Sequence, residues 1–70
     1  VVGEGYSVVW EPDPTGELSN EEYGHVAIVE EVYSDHVIIS EASRVDDVYV
    51  IRKRKITLEQ LNNDLVWLIP

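Results

Sequence analysis

A chain of 70 residues with 14 acidic and five basic side chains, net charge −9 at neutral pH, holds one small domain at most. At that length only about 60% of the unfolded chain's surface is buried on folding, so the core is modest. A surface this acidic repels phosphate and excludes nucleic acid as an expected partner; the lack of cysteine excludes disulfides, thiolate zinc sites and a thiol nucleophile within these residues.

The first segment, "VVGEGYSVVW", has neither a basic region nor a long apolar stretch and does not read as a signal peptide. A start at Val rather than Met points to a processed chain or an excised piece of a longer one. Residues 6–11 ("YSVVWE") are β-branched and aromatic between a Gly and a Pro, which predicts a strand. Residues 12–20 ("PDPTGELSN") carry two prolines, a glycine and small polar groups, and predict a loop. Residues 25–33 ("HVAIVEEVY") predict a strong strand, apolar on both faces in its first half as a doubly covered central strand would be. Residues 36–42 ("HVIISEA") predict the next strand and 48–54 ("VYVIRKR") a third alternating one.

Thr57 followed by Gln60 has the spacing of a capping box and predicts a helical turn with Leu58 and Leu61 on one face, ended by Asn62 and Asn63. Residues 65–69 ("LVWLI") predict a final buried strand. No run of about eighteen apolar residues exists, so no membrane span is expected. The fold expected is mainly β: a single subdomain over residues 1–70, a small antiparallel sheet of five strands curled into a partial barrel, with one short helix.

Charge is unevenly placed. Residues 1–43 hold ten acidic groups and no Lys or Arg; residues 44–70 hold five basic and four acidic groups. The cluster "RKRK" at 52–55 is the local exception, expected as a solvated strand edge whose charges discourage edge-to-edge pairing.

The segments "GHVAIVEEV" and "IISEAS", with "GYSVVW" upstream and "RKI" and "LVWLIP" downstream, resemble the second half of a CHAP domain, a cysteine- and histidine-dependent amidohydrolase/peptidase module of the wider NlpC/P60-like group. The resemblance covers roughly residues 5–70. It implies the sheet half of a papain-like fold, in which a helix carrying Cys packs against a sheet carrying His, and cleavage of peptidoglycan amide bonds in a secreted, cell-wall or phage-associated setting. Carried over by position, His25 matches the general base and Glu41 the acidic group that orients it. Ser43 stands where the family often has Asn. No cofactor or metal is implied.

Cys–His hydrolysis needs a thiolate to attack the amide carbon, a histidine to move the proton and a polar group to hold the imidazole. His25 and Glu41 offer the last two. Ser7, Ser19, Ser34, Ser40 and Ser43 follow no Gly-rich elbow and begin no helix, so none reads as a substitute nucleophile. The nucleophile would come from a Cys-bearing segment or a second chain, and the 70 residues alone are expected to be inactive. The alternative is a Cys-less relic serving as an interaction or dimerisation module, its sheet face left bare by the missing helix and joined to a partner or to a second copy in a homodimer.

Whether His25 and Glu41 can meet is a question of parity. A two-residue loop at Ser34-Asp35 puts His25 across from Arg44 and Glu41 on the other face. A three-residue loop at Tyr33-Ser34-Asp35, or a bulge of equal effect, puts His25 across from Ser43 and Glu41 on the same face. The second register is the expectation, reached by the three-residue loop with Asp35 left-handed or by a bulge of the same effect. The ordinary reading of Glu41 is a strand-end carboxylate paired with Arg44 or Arg52. His36, just after the turn, is expected to be exposed and without a role. Trp10 and Trp67 read as core or groove wall. The acidic loop with Glu11, Asp13, Glu17, Glu21 and Glu22 lacks the alternating Asp pattern of a calcium loop and reads as solvated.

Overall fold

Alternating apolar residues build the strands, and the turns between them set the order. The computed structural model describes residues 2–16 and 19–70; Glu17, counted in the acidic loop, lies outside the described residues. The elements are β1 (Ser7–Trp10), β2 (His25–Val32), β3 (His36–Val45), β4 (Val48–Thr57), α1 (Leu58–Leu61) and β5 (Val66–Ile69). They form one open antiparallel sheet in the order β4-β3-β2-β1-β5. The fold is therefore mainly β with five strands and one short helix.

Burial follows the two-residue period of the strands. Val8 and Trp10 of β1, Ala27 and Val29 of β2, Val37 and Ile39 of β3 and Ile56 of β4 are buried together with Leu61 of α1. Val2, Tyr6, Val66 and Leu68 close the margin of this core. The opposite face is apolar as well, but bare. Val26 is 58% exposed, Ile51 74% and Trp67 58%, with Ile28 and Ile69 also open. The expectation that β2 is covered on both sides is thus corrected: apolar residues on both faces of β2 mark one core face and one uncovered apolar face. The same open face corrects Trp67, which is no core residue; its indole N–H donates to Glu11 Oε2 at 3.0 Å.

Asp46 and Asp47 both take positive φ, 50° and 64°, and close β3 on β4 as a two-residue hairpin of ten-residue strands. The capping box forms as the spacing predicts: Gln60 N–H donates to Thr57 Oγ1 at 3.1 Å and Thr57 N–H to Gln60 Oε1 at 2.9 Å. Asn62 ends the helix.

Candidate active site

His25 opens β2, and its placement begins one residue earlier. Gly24 has φ +74°, and a Cβ there would lie 2.2 Å from the Trp10 carbonyl oxygen. Only glycine lets the chain pass so close to β1 while turning into β2. Asn20 holds the turn before it, its Oδ1 accepting from the N–H groups of Glu22 and Tyr23, while its carbonyl accepts from Gly24. The next residue, His25, then pairs with Trp10 across β1 and β2, and the two rings lie 5.3 Å apart at a tilt of 41°. The buried indole forms one wall of the imidazole's seat.

The hairpin from β2 to β3 does not use the expected three-residue loop. Tyr33 N–H donates to the His36 carbonyl at 2.9 Å, leaving Ser34-Asp35 as a two-residue loop. Near the turn, Val32 pairs with Val37 and Glu31 with Ile38; farther along, Val29 pairs with Ile39 and Ile28 with Ser40. Glu30 is the extra residue, a β-bulge that shifts the register by one. Neither Ser34 nor Asp35 takes positive φ, so the expectation of a left-handed Asp35 is corrected; the bulge restores the phase that turns Ala27 and Val29 into the core. His25 shares that phase, and so does Glu41 on β3.

The two side chains meet. His25 Nε2 lies 2.7 Å from Glu41 Oε1. Glu41 is braced from the other side by Arg54, whose Nε donates to Oε2 at 2.9 Å and whose second amino group donates to Oε1 at 3.0 Å. Neither ordinary partner expected for Glu41 is used. Arg44 turns to Asp47 at 2.7 Å, held by the Asp46-Asp47 turn, and Arg52, although directly across from Glu41 in the ladder, makes no ion pair among the described residues. Arg54 stands across from Ile39, two residues along on the same face, and reaches Glu41 diagonally. Sequence reading missed Arg54 because the β3–β4 register depends on the Asp46-Asp47 turn, which was not recognised as a two-residue hairpin.

Glu41 is the most enclosed of these three side chains, 10% exposed against 30% for His25 and 48% for Arg54. Burial pushes its carboxyl up, but the hydrogen bonds from Arg54 and His25, and the guanidinium's charge, outweigh burial and hold it below the ordinary glutamate value. Near neutral pH it is a carboxylate and only accepts. The hydrogen in the 2.7 Å contact therefore sits on His25 Nε2. In the neutral ring Nδ1 is then the unprotonated nitrogen, and no hydrogen bond engages it among the described residues.

Ser43 lies on β3 opposite Val50, and no hydrogen bond joins it to His25 or Glu41 among the described residues. His36 is not simply exposed: its ring stacks on Tyr33 at 4.6 Å and its Nδ1 lies 2.6 Å from Asp35 Oδ1. That hydrogen bond is the main reason the Asp35 carboxyl sits below its usual range. In the acidic loop, Asp13 Oδ1 accepts from the Thr15 N–H at 2.9 Å and its hydroxyl at 2.8 Å, a local turn contact. Among the described residues, no three His, Asp or Glu side chains gather closely enough to hold a metal ion, and no helix is long and apolar enough to cross a membrane. No protein-family model matches the chain, and no curated protein or solved structure is significantly similar to it.

Proposed function

We propose that the chain is the base-and-orienter half of a cysteine-dependent amidase or endopeptidase, the sheet subdomain of a CHAP-like, papain-like fold acting on peptidoglycan peptides. The observation that carries this reading is the 2.7 Å contact between His25 Nε2 and Glu41 Oε1, which leaves Nδ1 as the ring's basic nitrogen. In the proposed reaction Nδ1 takes the proton of a thiol supplied by another segment or chain. The thiolate attacks the amide carbon; the imidazolium returns the proton to the leaving amine as the C–N bond breaks. Water, deprotonated by the same nitrogen, then opens the thioester and releases acid and thiol. Glu41 stabilises the imidazolium in both halves.

The test is hydrolysis of purified peptidoglycan by the 70 residues alone and by the protein expressed with any flanking sequence its gene encodes. The isolated chain is expected to be inert. The longer protein is expected to release amines, to be stopped by a thiol-alkylating reagent, and to lose at least about a hundredfold in rate on His25→Ala. Cleavage by the isolated chain that survives His25→Ala overturns the reading, as does a longer protein that is inert.

The uncovered apolar face favours a second reading, a non-catalytic interaction or dimerisation module. Val26, Ile28, Ala42 and Ile51 line a shallow hollow of about 200 Å³ on that face, and strand alternation puts it on the opposite side of the sheet from His25. A segment that delivers a thiol to His25 and an element that covers Ile51 are therefore two different elements. Concentration-dependent self-association abolished by Ile51→Lys, with no amidase activity in any form of the protein, would favour this reading.

A further inference from the structure

β4 lies at one end of the sheet, paired with β3 along its whole length and with nothing on its other side among the described residues. Half of its backbone N–H and C=O groups therefore point outward, a template for one more strand. Four consecutive residues of this edge are basic, Arg52, Lys53, Arg54 and Lys55. They are four of the five cations in a chain of net charge −9. Only Arg54 is engaged in an ion pair; Arg52, Lys53 and Lys55 form none among the described residues, despite the 14 acidic side chains available. Toward the Asp46-Asp47 turn the same edge changes character, with Tyr49 and Ile51 both largely exposed.

A second copy is a poor occupant. Antiparallel pairing of two β4 edges along their whole length sets Arg52 across from Lys53 twice, which is unfavourable in a ladder, and the −9 charge on each molecule opposes their approach. Duplex nucleic acid faces the same net charge and has no backbone donors to complete a ladder. An extended acidic peptide meets all three features: it supplies the missing ladder partners, neutralises cations on both faces of the edge, and places an apolar residue against Ile51.

We propose that the free edge of β4 captures an acidic, extended segment of a partner protein as a sixth strand. The partner strand runs antiparallel to β4, with a short run of Asp or Glu across from 52–55 and apolar side chains across from Tyr49 and Ile51. Main-chain hydrogen bonds hold it and the charges select it. This site is separate from the His25–Glu41 pair and stands whether or not that pair catalyses.

The probe is an acetylated, amidated peptide of four glutamates followed by Val-Thr-Val, titrated into the isotope-labelled chain. Amide shifts confined to residues 49–56 are expected, with added protection of β4 amides from hydrogen exchange. Affinity is expected to fall at least tenfold on Lys53→Glu with Lys55→Glu, less on the matched Gln changes, and steeply between about 0.05 and 0.5 M salt. Both side chains are exposed, and circular dichroism checks that the variants fold. The same peptide with alternate N-methylated amides is the control for strand addition. Equal binding of that control, preferred binding of a 12-base-pair DNA duplex, a dimer that protects β4 without peptide, or no change at β4 each overturns the proposal.

Discussion

Glu30 stands out of the ladder so that His25 and Glu41 can share a face. Ahead of it the β2–β3 pairs follow the two-residue turn; beyond it they follow the core, with Val29 beside Ile39. A strand of period two has no other way to combine that turn with that core, since a slip of one residue would carry His25 to the bare side of the sheet. The bulge is thus the local event on which the pairing of imidazole and carboxylate depends.

The state of the imidazole is open to direct measurement. Because Glu41 only accepts near neutral pH, nitrogen chemical shifts of neutral His25 are expected to report one tautomer, with hydrogen on Nε2. Glu41→Gln removes the obligatory acceptor and is expected to give a mixture. A wild-type ring protonated on Nδ1 when neutral would contradict the geometry.

Acid should weaken the fold through Glu41. Its carboxyl is held below the ordinary value in the folded chain, so the folded state binds fewer protons than the unfolded one there. The stabilisation is fully present above the unfolded value of about 4.3 and is lost as pH falls through the lower folded value. Denaturant unfolding measured from pH 7 down to pH 2 is expected to lose stability less steeply in Glu41→Gln than in wild type. Arg54→Ala removes two hydrogen bonds from a half-exposed guanidinium and is expected to cost about 1 kcal/mol at pH 7, with a smaller acid dependence.

Two glycines separate backbone strain from steric contact. Gly16 and Gly24 have nearly the same positive φ, 72° and 74°, but a Cβ at Gly16 meets nothing within 4 Å while one at Gly24 strikes the Trp10 carbonyl. Gly16→Ala is expected to cost about 1 kcal/mol and Gly24→Ala clearly more, with β1 and β2 forced apart. Thermal unfolding of the two variants, with the His25 ring shifts as a local probe, checks the difference.

The two apolar faces should respond oppositely. Ile39→Ala opens a cavity in the core and is expected to cost about 2–5 kcal/mol, most of the stability of so small a domain. Ile51→Ala, on the bare face, is expected to change stability by less than about 0.5 kcal/mol. Equal effects would mean that Ile51 is covered in solution.

Much of the architecture was legible in the residues. β-branched and apolar runs bounded by turn residues marked all five strands, with clear alternation only in β4, Thr57 and Gln60 announced the helix start, and the need for His25 and Glu41 to share a face was clear from parity. The register that puts His25 and Glu41 on one face was legible; whether a three-residue loop or a bulge sets it was not, because the two shift the register equally and no local signal distinguishes them. Arg54 was missed because a diagonal partner requires a register, a turn type and a long side chain to be known together. The uncovered face was misread as a covered one because an apolar side chain looks the same in sequence whether buried or bare; a count would have helped, since one short helix cannot cover two faces.

The β1–β5 ladder has a consequence for how the molecule comes together. Every other strand pairing joins neighbours in the chain, but Ser7 pairs with Ile69 and Trp10 with Val66. Closing that ladder means closing a loop of almost the entire chain, at an entropic cost that the local hairpins do not carry. The β3–β4 hairpin, with its tight aspartate turn and ten-residue strands, is expected to form early and β2 to add to it. The four residues of β5, with Val66 and Leu68 only partly buried, are expected to dock last. On heating, the same ladder opens first, so hydrogen exchange at Trp67 and Leu68 should outpace that at Ile39 by the widest margin in the sheet.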